Sequence, residues 1–356
     1  MGWWKMKRFA GEGARATPGL PVSSDDMKNR RRWNSKSSAV FCLLLTLTAC
    51  SHSKPAETPQ ETKSSMVLPN LAAATPSDNG PLPAVNGARA FQYTKEIVAF
   101  GPRPIGSENH KKVEDYIYSH LKGDLVEDDY FMADTPAGKL PVRNIVAKFP
   151  GTRAGVIVIA GHYDTNYPLK EQGYVGANDG GSSAGLLLEL ANQLRGKKRD
   201  GYSVWLLWTD GEEAVKEWSG NDNTYGARHL AEKWEKDGTL KQIKAFLLVD
   251  MIGDADLNIE RDSNSTGWLE DFVYKAAELM GYQSHFFART IAVSDDHDPF
   301  VSRGVPSADL IDFDYGYDNV FWHTPQDTMD KLSPKSFEIV GDVVLETVRL
   351  VEKAGS

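Results

Sequence analysis

The chain has 356 residues, 41% of them hydrophobic and 25% charged, and a formal net charge of −9. That apolar content is enough for a full core, and the acidic balance disfavours nucleic acid as a partner. Cysteine is scarce, with only Cys42 and Cys50, which excludes a disulfide-stapled scaffold.

The first segment reads as targeting. Met27-Lys28-Asn29-Arg30-Arg31-Arg32 is a basic n-region, Ala39–Thr48 is a short apolar h-region, and Leu47-Thr48-Ala49-Cys50 matches a bacterial lipoprotein cleavage box. The apolar run is too short for a spanning helix, which needs ~20 residues. Residues 1–49 are therefore expected to be a signal segment, with translation starting at Met1 or at Met27. Cleavage would discard Cys42 and leave Cys50 to carry the lipid. It would also remove nine of the 40 basic and three of the 49 acidic residues, taking the net charge to −15. Residues 50–85 are rich in Ser, Thr, Pro, Ala and Glu without sustained periodicity and read as a flexible tether. The expected location is the cell envelope, on the outer side of the cytoplasmic membrane, with membrane contact only through Cys50.

Residues 86–356 read as one catalytic domain. Ala90–Phe100 and Ser107–Leu121 have helical spacing and are split by the breaker run Gly101-Pro102-Arg103-Pro104. Val142–Phe149, Val156–Ala160, Val204–Trp208 and Phe246–Val249 are short branched or aromatic runs expected to be buried strands. Ser182–Leu194, Thr224–Lys236, Trp268–Gly281 and Pro334–Ala354 are expected helices. This alternation predicts an α/β fold, a three-layer αβα sandwich around a mixed, largely parallel sheet.

Ligands of open α/β sheets gather at the carboxyl ends of strands, and that is where the polar residues fall. His162 follows one strand, Glu212 and Glu213 follow another, and Asp250 ends a third; Asp179 precedes a helix and His323 sits in Trp322-His323-Thr324-Pro325. Histidine and carboxylate without cysteine suit zinc. Asp179, Glu213 and His323 form one three-ligand set with an open position. His162 and Asp250 could hold a second ion with Asp179 bridging. Neighbouring glutamates point in different directions, so one can bind metal while the other works as acid or base. Taken singly, each of these residues could equally be a solvated loop residue or a salt-bridge partner. His297 and His229 read as packing or hydrogen-bonding residues, and His52, His110, His120 and His285 as surface or core.

The ordered series His162-Tyr163-Asp164, Asn178-Asp179-Gly180, Gly211-Glu212-Glu213, Asp250-Met251-Ile252-Gly253, Ser294-Asp295-Asp296-His297 and Trp322-His323-Thr324 resembles the co-catalytic zinc exopeptidases, the family of aminopeptidase Y and the glutamate carboxypeptidases. Trp218-Ser219, Asp222, the run Tyr225–Ala231, Pro299-Phe300 and Gly304-Val305-Pro306 are similar to the animal-type glutaminyl-peptide cyclotransferases. That resemblance implies one zinc on Asp179, Glu213 and His323, with Glu212 shuttling protons. It also implies Asp250 and Asp295 in a hydrogen-bonded network, a pocket lined by Trp218 and Trp322, and peptides with an N-terminal glutamine as substrates. The alternative is a di-zinc aminopeptidase in which Glu212 activates water and His162 with Asp250 holds the second ion. A non-catalytic ectodomain is a third reading, opposed by the intact ligand set. Departures from the animal cyclases are Ser294 where they carry glutamine, Asp309 where they carry histidine, and Gly161 in place of a disulfide cysteine.

Overall fold

The computed structural model describes residues 82–355. The expected signal segment and Cys50 lie outside that range, as does the tether except for its last four residues.

Two helices open the domain, α1 (Gly87–Val98) and α2 (Glu108–His120), each started by a side chain that caps the first turn. Asn86 accepts from the Arg89 N–H, and Ser107 accepts from that of His110. They are followed by β1 (Leu125–Thr135), β2 (Gly138–Phe149), β3 (Arg153–His162), α3 (Gly181–Leu194) and β4 (Tyr202–Thr209). Next come α4 (Tyr225–Asp237), β5 (Ile243–Asp250), β6 (Ile259–Asp262), α5 (Gly267–Met280) and β7 (Phe286–Ile291). The four-residue α6 (Asp298–Val301), β8 (Ser307–Ile311) and α7 (Pro334–Ala354) complete the order.

Six strands form one sheet in the order β1-β2-β4-β3-β5-β8. β4, β3, β5 and β8 run parallel, and β2 is antiparallel to both β4 and β1. The expected mixed, largely parallel sheet is what forms. Alternation along its strands separates two cores. Ile157, Ile159, Leu206, Leu247 and Val249 pack with the helices of one face, α1, α2, α3, α5 and α7. Val156, Val158, Ala160, Leu207 and Leu248 pack with α4 and with Phe300 of α6 on the other. Central strands buried on both faces explain the near-continuous apolar runs in the sequence. Among the described residues, no helix is long and apolar enough to cross a membrane.

Two glycines bring the layers close enough to build a site. A β-carbon on Gly161 would lie 2.7 Å from the Ser183 side chain and 2.9 Å from the Val249 carbonyl, so only glycine lets α3 seat against β3 here. Gly180 has a φ of +72°, and a β-carbon there would meet the Asp164 carbonyl at 2.7 Å and the His162 ring at 2.8 Å.

Candidate active site

The parallel strands deliver their polar residues to one end of the sheet. His162 is the last residue of β3 and Asp250 the last of β5. Glu212 and Glu213 lie just beyond β4, which ends at Thr209. Asp179 arrives from the turn before α3, and His323 from the loop between β8 and α7. The structure thus brings together all six residues that the sequence picks out.

They form two triads that share Asp179. In the first, His323 Nε2 is 3.3 Å from Asp179 Oδ2 and 3.2 Å from Glu213 Oε1. In the second, His162 Nε2 is 3.1 Å from Asp179 Oδ1 and 3.2 Å from Asp250 Oδ1. Each triad offers three donor atoms lying within 4.8 Å of one another. One imidazole nitrogen with two carboxylate oxygens is a donor set that fits zinc. The electrostatics agree. Burial would depress the His323 imidazole, but Glu213 and Asp179 outweigh it and lift it to about 10. Burial would raise Asp179, yet His162 and His323 hold its carboxyl well below the usual range. The centre favours positive charge at the point where a cation would sit.

The supporting groups are tightly arranged. Asn166 donates to Glu213 Oε2 at 2.7 Å and Tyr174 to Asp179 Oδ2 at 2.6 Å. Asp164 accepts from the backbone N–H groups of Glu212 and Glu213 at 3.2 and 3.3 Å, which fixes the glutamate pair. Asp327 accepts from those of Asn178 and Asp179 and takes a hydrogen bond from the Tyr315 hydroxyl at 2.8 Å. Arg103 is fully buried. Its guanidinium donates to the Tyr163 carbonyl at 2.6 Å, to the Gly176 carbonyl at 2.9 Å and to the Val175 carbonyl, so it joins the His162 strand end to the Asp179 loop. Non-glycine residues with positive φ also cluster here, at Thr224 (42°), Met251 (50°) and His323 (51°). Such backbone persists only where its surroundings over-determine it.

Glu212 stands apart from the donor atoms of the first triad. Its nearest basic partner is His162 Nδ1, 3.9 Å from Oε2. Burial pushes its carboxyl well above the usual range; His162 opposes this, and Asp295 and Glu213 add to the rise. Asp295 is buried and shifted upward for the same reason, with Asp250 and Asp296 adding repulsion. Trp322 stacks on His323 with ring centroids 4.1 Å apart and meets Phe313 edge-on. Trp218 is half-buried in the loop after Glu213, and its ring makes no stacking contact with Trp322 or His323. Asp222 ties that loop down, accepting from the N–H groups of Val215, Lys216 and Glu217 and from the Tyr225 hydroxyl.

His52 lies outside the described residues, and the remaining described histidines pack or pair. His229 stacks on Phe131, and His297 lies between Asp262 (3.1 Å) and Asp309 (3.9 Å). His110 is buried against Asp210 at 2.6 Å. Sequence reasoning missed Arg103, Asn166, Tyr174, Asp210 and Asp327. Only Arg103 left a signal, a long cation inside a run of chain breakers.

The family model described as "Peptidase family M28" matches residues 144–348. A glutaminyl-peptide cyclotransferase of Drosophila melanogaster is 34% identical over 254 residues, spanning 64% of this chain and 70% of the relative. A glutaminyl cyclase crystal structure from an Acidobacteriales bacterium superposes with a TM-score of 0.76 at 49% identity, covering 78% of this chain and 98% of that one. A Zn-dependent exopeptidase from Parabacteroides distasonis superposes with a TM-score of 0.68 at 28% identity, covering 75% and 99%.

Proposed function

The chain belongs to peptidase family M28 and within it to the glutaminyl-peptide cyclotransferases, and we propose that it converts the N-terminal glutamine of peptides to pyroglutamate with release of ammonia, using one zinc ion. The observation that carries the single-ion reading is the difference between the two histidines: His323 is partly exposed beside the partly exposed Trp322, whereas His162 is buried. A catalytic ion needs an open position.

Asp179, Glu213 and His323 would hold the ion, which when bound supplies a Lewis acid for the glutamine side-chain amide. Cyclisation joins the α-amine nitrogen to the amide carbon and breaks that carbon's bond to the amide nitrogen. Glu212 takes the proton that the amine gives up and hands it to the departing nitrogen, which leaves as ammonia. A carboxyl whose proton affinity burial has raised is suited to that second transfer. Asp250 and Asp295, both buried, would share protons with Glu212. The Trp322 ring excludes water from the side of His323, which suppresses hydrolysis, and Trp218 covers the pocket from the neighbouring loop.

A second reading, a di-zinc aminopeptidase, is favoured by one observation. Both ring nitrogens of His162 are buried without a well-directed hydrogen bond, although three carboxylates stand within 3.5 Å. Incubation with a Gln-initiated peptide separates the two readings: ammonia without free amino acid supports the cyclase, and free glutamine supports the peptidase. We further place the domain in the cell envelope as a lipoprotein acylated at Cys50, on the strength of the Leu47–Cys50 box. Failure of Cys50→Ser to change membrane partition would count against that placement.

A further inference from the structure

A cleft of about 980 Å³ is lined by none of the proposed zinc ligands, and of the residues in the reaction described above it reaches only Asp295. That volume lies at the upper end for small-molecule sites, far more than a single glutamine side chain needs. Asp295 and Tyr225 are among the residues that line it. Its wall is anchored to the catalytic loop, because the Thr224 and Tyr225 N–H groups donate to the Glu212 and Gly211 carbonyls, each at 2.7 Å.

One wall is Phe131–Asp134 of β1, the terminal strand of the sheet, which pairs with β2 alone. An unpaired strand edge offers backbone donors and acceptors to an extended chain. The facing walls come from α4 and from the segment Pro299–Arg303. Exposed Met132 and the Phe131–His229 stack supply apolar contact.

The charges are unequal in availability. Arg228 is tied to the Asn221 and Asn223 carbonyls, and Arg303 to Glu235 and the Pro299 carbonyl. Asp134 and Glu232 are exposed and pair only with exposed Lys139 and Lys236, pairs that exchange readily with an incoming cation.

Building on the cyclase reading, we propose that this cleft binds the stretch of a peptide substrate that follows its N-terminal glutamine, extended along β1, and that it favours basic residues there. The enzyme would then act on longer cationic peptides in preference to dipeptides. The test compares kcat/KM on the full chain for a Gln-initiated dipeptide and for two Gln-initiated hexapeptides carrying lysines or glutamates from the third residue onward. The basic hexapeptide is expected to exceed the acidic one by about tenfold at low salt, with the gap closing as salt rises. The double variant D134K/E232K should reverse that order while changing dipeptide turnover by less than about twofold. Ser302→Trp, at an exposed position on the cleft wall, should depress both hexapeptides and spare the dipeptide. Equal kcat/KM for the two hexapeptides in the wild type, or variants that move the dipeptide as much as the hexapeptides, would overturn the inference and leave the cyclase reading standing. Absence of ammonia release from all three substrates would overturn both.

Discussion

The two triads around Asp179 are alike in composition and spacing, and their surroundings set them apart. The His323 side chain of the outer triad is 27% exposed, and Trp322 lies against it. In the inner triad His162 is 2% exposed and Asp250 9%. Asp250 Oδ1 is engaged by the Ser183 hydroxyl at 3.4 Å and the Met251 N–H at 2.8 Å. Three ligands with an outlet make a place where a substrate carbonyl can arrive. A histidine and two carboxylates packed under α3, with Ser183 of that helix at Asp250, make a support. Only the histidine separates the two by exposure, since Glu213 of the outer triad is as buried as His162 of the inner one, at 2%.

Removing an outer ligand should have the largest effect. Glu213→Ala and His323→Ala are expected to lose bound zinc and all activity, measured by metal analysis after dialysis; retained zinc would show that the inner triad holds the ion. Glu212→Gln is expected to keep zinc and lose activity by about 10²–10⁴-fold, and loss of zinc in that variant would show that the two glutamates have exchanged roles. His162→Asn sharpens the contrast. It should leave zinc content unchanged and cost about 10–100-fold in activity, as removal of a ligand-orienting neighbour does; a halved zinc content would mark it as a ligand. Arg103→Lys, which replaces a fork holding four carbonyls by a point charge, is expected to cost about 2–3 kcal/mol of stability and to weaken zinc binding. Chemical denaturation and zinc competition measure these separately. The smallest effect concerns pH. Burial pushes the Asp312 carboxyl up to about 8. Its folded value lies above its unfolded one, so the stability it contributes is whole below the unfolded value and is lost as pH rises towards 8. Asp312→Asn should therefore flatten the dependence of Tm on pH between about 4 and 8.

The central strands were legible because burial on both faces writes them as apolar runs, and their carboxyl ends carried the ligands in order. β1 was missed because a terminal strand, Leu125–Thr135, needs few apolar residues and carries Glu127, Asp128 and Asp129. β8 was hidden by its length of five residues and by Asp309 at its centre. β7 was hidden by its exposure. At the site, ligand types announce themselves, but positioning groups do not. Arg103 and Asp327 act on backbone groups of residues 60 to 149 positions away, contacts that only the folded chain brings about. Trp322 stacks on its expected neighbour His323; Trp218, placed with the pocket by resemblance, is partly buried in the loop after Glu213.

The most direct test of the account is a titration of the metal-free chain with zinc while pyroglutamate formation on a Gln-initiated peptide is followed by mass spectrometry. With a single zinc on Asp179, Glu213 and His323, cyclisation is expected to reach its plateau at one equivalent of zinc per chain. A plateau reached only at two equivalents, or release of the intact first residue in place of ammonia, would contradict it.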